Sequence, residues 1–114
     1  VAGFPNLFFL LGPNTGLGHN SMIYMIESQV HYVMRALAAM RRRRVEAIAV
    51  RRDAQDSYNR EIQSRLARTV WTTGGCKSWY QRRDGRITTL WPGYTFEFRR
   101  RLRRVRWSDY QALA

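Results

Sequence analysis

Cysteine and lysine are nearly absent from this chain of 114 residues: Cys76 stands alone, and Lys77 is the one lysine among 20 basic residues. A lone thiol excludes an internal disulfide, and a reducing, cytoplasmic compartment fits. Acidic residues number only 8, which leaves a formal net charge of +12. The two histidines, His19 and His31, have no cysteine, histidine or carboxylate at ligand spacing, so no metal site is expected. His31 reads as a surface or packing residue. The longest apolar run is far shorter than the roughly 20 residues of a membrane span. No basic segment precedes that run, so it does not have the form of a secretory signal. Internal repeats and low-complexity linkers are also missing.

What remains is a folded composition, 45% apolar and 13% aromatic, of a length that suits one small domain. The chain opens at Val1, an odd place for a natural protein to begin and one that suits an excised or processed piece or a broken reading frame. The organising stretch is LFFLLGPNTGLGHNSM, Leu7 to Met22. Leu7 to Leu11 is short, apolar and aromatic, as a buried strand would be. Gly12-Pro13-Asn14 is a cluster of turn formers, and Gly16 and Gly18 follow. A helical pattern then begins, capped by Asn20 or Ser21, with Met22, Ile26, Val30, Val33, Leu37 and Met40 as its apolar stripe. A strand, a glycine loop and a helix start gather backbone N–H groups around one concave spot. The helix dipole adds positive potential there, which suits a phosphate or an electron-rich oxygen.

Spacing alone leaves two readings of that spot. Gly16-Leu17-Gly18-His19-Asn20-Ser21 approaches a dinucleotide fingerprint with serine in the third glycine position, and Arg51-Arg52 after the Val45 to Val50 run would meet a 2′-phosphate. The fingerprint, however, places its ribose-reading residue about 20 positions on, and Arg51 lies farther. The other reading is a strand-turn-helix connection with no ligand.

Beyond the helix, Arg41 to Arg44 sit at its negative end. Val45 to Val50 alternates as a strand, with Val45, Ala47 and Ala49 on one face. Asp53 is placed to cap a second helix carrying Tyr58, Ile62, Leu66 and Thr69 or Val70 on one side, which ends at Gly74-Gly75. Ser78 to Leu90 reads as a hairpin turning at Asp84-Gly85, a pair that accepts positive φ. Tyr94, Phe98, Leu102 and Val105 then recur at helical spacing among arginines, and the tail after Trp107 is expected to fray.

The residues themselves resemble a known family. Gly3-Phe4-Pro5-Asn6-Leu7-Phe8-Phe9, Gly12-Pro13-Asn14 and Gly18-His19-Asn20-Ser21-Met22 look like the C-terminal part of the FAD domain in Baeyer–Villiger and related flavin-containing monooxygenases. Glu27-Ser28-Gln29, Tyr58-Asn59, Ile62-Gln63, Thr69-Val70-Trp71, Ser78-Trp79-Tyr80 and Leu90-Trp91-Pro92-Gly93 follow in the same order as in that family. The resemblance implies an α/β fold, a fragment of a Rossmann-like FAD domain. It would comprise strand, Gly loop and long helix, followed by strand, helix, β-hairpin and basic C-terminal helix.

Residues 1–44 would form the flavin side and residues 45–107 a C-terminal cap of one partial domain spanning 1–114. The parent enzyme would use FAD, NADPH and O2 to insert oxygen into a ketone or to oxidise a heteroatom. Gly12, Gly16 and Gly18 would allow close backbone approach, and Asn20, Ser21 and Met22 would face the flavin C2 carbonyl oxygen. Trp79 matches a loop whose tryptophan contacts NADP, although the chain departs from the pattern after Tyr80; a buried hairpin aromatic is the other reading of Trp79. The dinucleotide fingerprints would lie upstream of Val1. The resemblance thus makes the rest of the flavoprotein this chain's partner, with no catalytic residue here, weak FAD binding alone, and self-association through an exposed apolar edge.

The charge carries an alternative. Arginines at 41–44 and 99–104, interleaved with Phe96, Phe98 and Trp107, would also suit a small module for nucleic acid or an anionic surface. The basic residues fall in separate blocks that match no nucleic-acid motif, and a solvated arginine-rich surface is the simpler expectation.

Overall fold

Regular spacing makes the long helix the most readable element, and it is present. The computed structural model describes residues 1–17, 21–69 and 81–113. Among these, α1 spans Met22–Arg43, β1 Ala47–Val50, α2 Arg52–Leu66, α3 Thr95–Arg101 and β2 Tyr110–Leu113, with a 3-10 turn at Trp107–Asp109. The result is a small α/β structure of three helices and a two-stranded sheet. It is elongated, 51 × 27 × 17 Å.

Met, Leu, Ala and Arg favour helix through most of α1, and Arg41, Arg42 and Arg43 sit in its last turn. Arg44 ends it in the left-handed conformation, φ 56° and ψ 43°, its N–H bonded to the Arg41 carbonyl at 3.2 Å. The buried face differs from the predicted stripe. Met25, Ser28, Gln29, Ala36 and Met40 are buried, whereas Val30 and Leu37 are exposed. The chain's own packing falls on a side rich in small and polar residues; of the predicted stripe Met40 is buried, Met22, Ile26 and Val33 are half-buried, and Val30 and Leu37 face outward.

Two apolar clusters are strung along α1. One joins Met25 to Ile62 and Leu66 of α2, Phe98 of α3, and Ile87, Leu90 and Trp91 of the connecting stretch. The other joins Ala36 and Met40 to Ile48 of β1, with Phe8, Val105, Trp107 and Tyr110 against them.

Four further expectations are corrected. Leu7 to Leu11 forms no strand: Leu7, Phe9, Leu10 and Leu11 are exposed, and only the flanking Asn6 joins β1. Asn6 exchanges backbone and side-chain bonds with Ile48, at 2.9 and 3.0 Å, and its amide reaches the Glu46 carbonyl at 3.1 Å. An apolar run of this kind becomes a strand only beside neighbouring strands, and the described sheet offers it none. Second, Arg51 rather than Asp53 occupies the α2 N-cap, and Asp53 lies in the first turn, where its carboxylate meets both Arg51 and the helix dipole. Third, the predicted fraying tail is β2, antiparallel to β1 with Ala47 opposite Leu113 and Val50 opposite Tyr110. Its pairing is set by β1 and by Tyr110 packing, not by any alternation of its own. Fourth, α3 stops at Arg101, so Val105 packs from beyond the helix.

The hairpin is present in reduced form. Gln81 bridges Ile87 across a turn in which Gly85 has φ 83°. Ser78, Trp79 and Tyr80 lie outside the described residues, as does Gly74-Gly75.

Candidate functional site

The loop that precedes α1 is built from short polar links. Thr15 Oγ1 donates to the Gly12 carbonyl at 2.6 Å, closing the turn that Gly12-Pro13-Asn14 begins. Asn14 is buried and left-handed, with φ 56°. Its backbone N–H donates to Thr88 at 2.9 Å, and its Nδ2 donates to the carbonyls of Ile87 at 2.9 Å and Leu90 at 3.0 Å. Gly16 continues the join as a parallel bridge to Leu90. Its N–H meets the Thr89 carbonyl at 2.7 Å, and its carbonyl accepts from Trp91 at 2.9 Å. A Cβ at Gly16 would stand 2.8 Å from the Thr89 carbonyl oxygen, so backbone approach within the chain already requires glycine there. At Gly12 the neighbour a Cβ would strike is the Phe9 side chain, at 2.6 Å.

The loop is also tied to α1 itself. Leu11 N–H donates to the buried Gln29 side chain at 2.9 Å. Arg99 of α3 then fastens the second turn of α1: Nε donates to Ser28 Oγ at 3.1 Å, a terminal N–H to Glu27 at 3.2 Å, and the guanidinium lies 3.7 Å from the Tyr24 ring centre. Asn14, Gln29 and Arg99 were not singled out from the sequence as site residues. An asparagine after Gly-Pro does signal a left-handed turn, but the carbonyls it serves lie more than 70 residues away.

Of the expected flavin-side residues, Gly12 and Gly16 lie in the described loop, and Ser21 and Met22 lie at the start of α1. Gly18, Asn20 and Trp79 lie outside the described residues. Ser21 holds the N-cap with φ −71° and ψ 119°, and Met22 opens the helix half-buried. No acidic side chain occupies the first turn of α1, a 22-residue helix with its positive dipole end at Met22. That donor set fits an electron-rich carbonyl oxygen better than a cation. Among the described residues no cluster of histidine, cysteine and carboxylates could hold a metal ion, and no helix is long and apolar enough to cross a membrane.

Beside Trp91, Arg65 and Glu97 form a two-pronged ion pair at 2.7 and 3.0 Å. The Arg65 hydrogen bonds hold the Glu97 carboxyl below the ordinary carboxylate range, against the opposing effect of burial. At the other end, Tyr32 and Tyr110 share a 2.5 Å hydrogen bond between hydroxyls, and burial raises the pKa of both.

Comparison with known proteins supplies the class, which is that of the Baeyer–Villiger and FAD-binding monooxygenases. The chain is 56% identical over 111 residues to a Baeyer–Villiger monooxygenase of Pseudomonas aeruginosa, covering 96% of this chain and 21% of that protein. It is 51% identical over 116 residues to a Baeyer–Villiger monooxygenase of Streptomyces coelicolor, covering 99% of this chain and 22% of that protein. An FAD-binding monooxygenase of Aspergillus niger is 39% identical over 114 residues, 96% of this chain and 19% of its own length. No protein-family model matches. The chain is thus homologous to a segment of these flavin monooxygenases, and it spans about a fifth of the length of the curated relatives it matches.

Proposed function

We propose that this chain is the C-terminal part of the Rossmann-like FAD domain of a flavin-dependent monooxygenase. Residues 1–44 form its flavin side and residues 45–107 its cap. The parent enzyme uses NADPH and O2 to insert oxygen into a ketone or to oxidise a heteroatom. The observation that carries the reading is that the chain is 56% and 51% identical over nearly its whole length to segments of two Baeyer–Villiger monooxygenases, with a glycine loop fixed by Asn14 and Gly16 ahead of the acid-free first turn of α1.

In this reading bound FAD supplies the oxygen-activating redox chemistry. The chain's own part is to orient and to stabilise. Backbone N–H groups at Asn20, Ser21 and Met22 would face the ring's C2 carbonyl oxygen, where negative charge gathers on reduction. Gly12, Gly16 and Gly18 would shape the approach, and Trp79 would contact NADP. No side chain here moves a proton, so the chain alone does not catalyse.

The partner is the remainder of the flavoprotein. Ile23, Met34 and Leu37 on α1, at 67, 59 and 48% exposure, and Phe9, Leu10 and Leu11 in the preceding segment are large apolar side chains exposed among the described residues. The run Leu7 to Leu11 has the composition of an inner parallel strand, so the proposed cover is a sheet that receives this run and packs under α1. Without that sheet the surface favours self-association.

Grafting the chain in place of the matching segment of the Pseudomonas aeruginosa relative tests this reading. The expected chimera retains one FAD per protein and oxidises NADPH with oxygenation of a ketone, whereas the isolated chain binds FAD weakly or not at all. A folded chimera devoid of FAD, or tight stoichiometric FAD binding by the isolated chain, would refute it.

A further inference from the structure

Five of the eight carboxylates are committed to ion pairs, with Arg51, Arg65, Arg99, Arg101 and Arg106. Among the described residues, a strongly basic place lies apart from those pairs. A groove of about 350 Å³ is lined by Arg35, Arg42 and Arg43 of α1 and by Arg104 after α3, and no carboxylate lines it. Its floor is apolar, made by Ala38, Val105 and Trp107. Arg43 stacks 4.7 Å over the Trp107 ring centre, and Arg35 donates to the Leu102 carbonyl at 3.4 Å, so two of the four guanidiniums are already oriented by the fold. At about 1.5 Å per residue, Arg42 lies roughly 30 Å along α1 from Met22, which separates this groove from the flavin corner.

We propose that the groove binds a small organic polyphosphate of the nucleoside di- or triphosphate class. Four like charges gathered without a counter-ion repel one another, and an anion bearing several charges removes that repulsion. Guanidinium forks match phosphate oxygens in pairs. The apolar floor at Ala38 and Val105 offers contact for a nucleoside, and the volume falls in the range of about 300–1,000 Å³ typical of small-ligand sites. The groove is too short to track a duplex, which would need a continuous basic stripe. The inference is independent of the flavin reading, because it uses none of the corner's residues.

Calorimetric titration of the purified chain tests it, with ADP, inorganic pyrophosphate and adenosine as probes. Saturable binding of ADP is expected, weaker binding of pyrophosphate, and none of adenosine. Arg42→Gln with Arg104→Gln is expected to weaken ADP binding by about tenfold or more, through loss of charge-assisted hydrogen bonds that solvent exposure weakens. Arg60→Gln with Arg86→Gln removes the same charge from exposed positions outside the groove. That control is expected to change ADP affinity less than about twofold, as screened distant charges do. Arg42→Lys with Arg104→Lys, which keeps the charge and loses the forks, is expected to fall between wild type and the Gln pair. No ADP binding, equal losses in both Gln pairs, or adenosine binding as tightly as ADP would each overturn the proposal. A duplex oligonucleotide that binds and is weakened equally by both pairs would mark general basicity and overturn it as well.

Discussion

Asn14 Nδ2 donates to the Leu90 carbonyl at 3.0 Å, and this buried bond fixes the loop before α1 to the stretch that leads into Trp91. The same amide group serves Ile87 at 2.9 Å, so one side chain satisfies two carbonyls that the sheet does not. The left-handed backbone at Asn14 is what lets it point that way.

Asn14→Gly keeps the backbone conformation and deletes both bonds. A loss of about 1–3 kcal/mol in urea unfolding is expected. Asn14→Asp is expected to cost more, about 3 kcal/mol or above, because a carboxylate would face two carbonyl oxygens in a buried place. Equal midpoints for the glycine and aspartate variants would contradict this role.

Glu97 links α3 to Arg65 of α2, and its lowered pKa gives that link a pH signature. A depressed carboxyl pKa contributes stability that is present above the unfolded value, about 4.3 for glutamate. That contribution is lost as pH falls below this value and through the lower folded one. Glu97→Gln is therefore expected to cost about 0.5–1 kcal/mol at neutral pH, since the pair is partly exposed. It should also flatten the acid limb of stability against pH. An acid limb unchanged by the substitution would remove Glu97 as its source.

The Tyr32–Tyr110 bond anchors β2 against α1, and the shift here has the opposite sign. Burial raises the pKa of both hydroxyls, so the folded state holds its protons to higher pH than the unfolded chain does. Stability is expected to stay level below about pH 10, the ordinary tyrosine value, and to fall above it. Tyr110→Phe should lose about 1 kcal/mol at neutral pH and make the alkaline fall shallower. A fall of undiminished steepness would place the titration elsewhere.

The sequence made the helices legible and their partners much less so. Three-and-four spacing placed α1 to within a residue, because periodicity is a local property. Which face is buried is not local. Ser28 is inside because Arg99 reaches it, and Gln29 because Leu11 does, and neither contact leaves a mark in the helix pattern. Leu7 to Leu11 was read as a strand from apolarity alone, yet a strand also needs neighbours. β2 was missed for the converse reason: Tyr110 to Leu113 has little pattern of its own and is specified by β1 and by Tyr32. At the candidate site, turn chemistry disclosed the corner, while its fastening by Asn14 and Arg99 depends on residues distant in sequence.

The flavin claim is tested most directly by the two-electron midpoint potential of FAD in the chimera described above, with and without Met22→Pro. Proline suits the first helical position, and Ser21, at φ −71° and ψ 119°, already has the backbone that a residue before proline requires. The substitution removes one N–H and leaves the helix intact. If that N–H faces the flavin oxygen, its loss is worth about 1–3 kcal/mol, and the potential is expected to fall by roughly 20–65 mV. Met22→Leu, which retains the N–H, is expected to leave the potential in place. An unchanged potential in a folded, FAD-containing Met22→Pro chimera would contradict the placement of this helix start beneath the flavin.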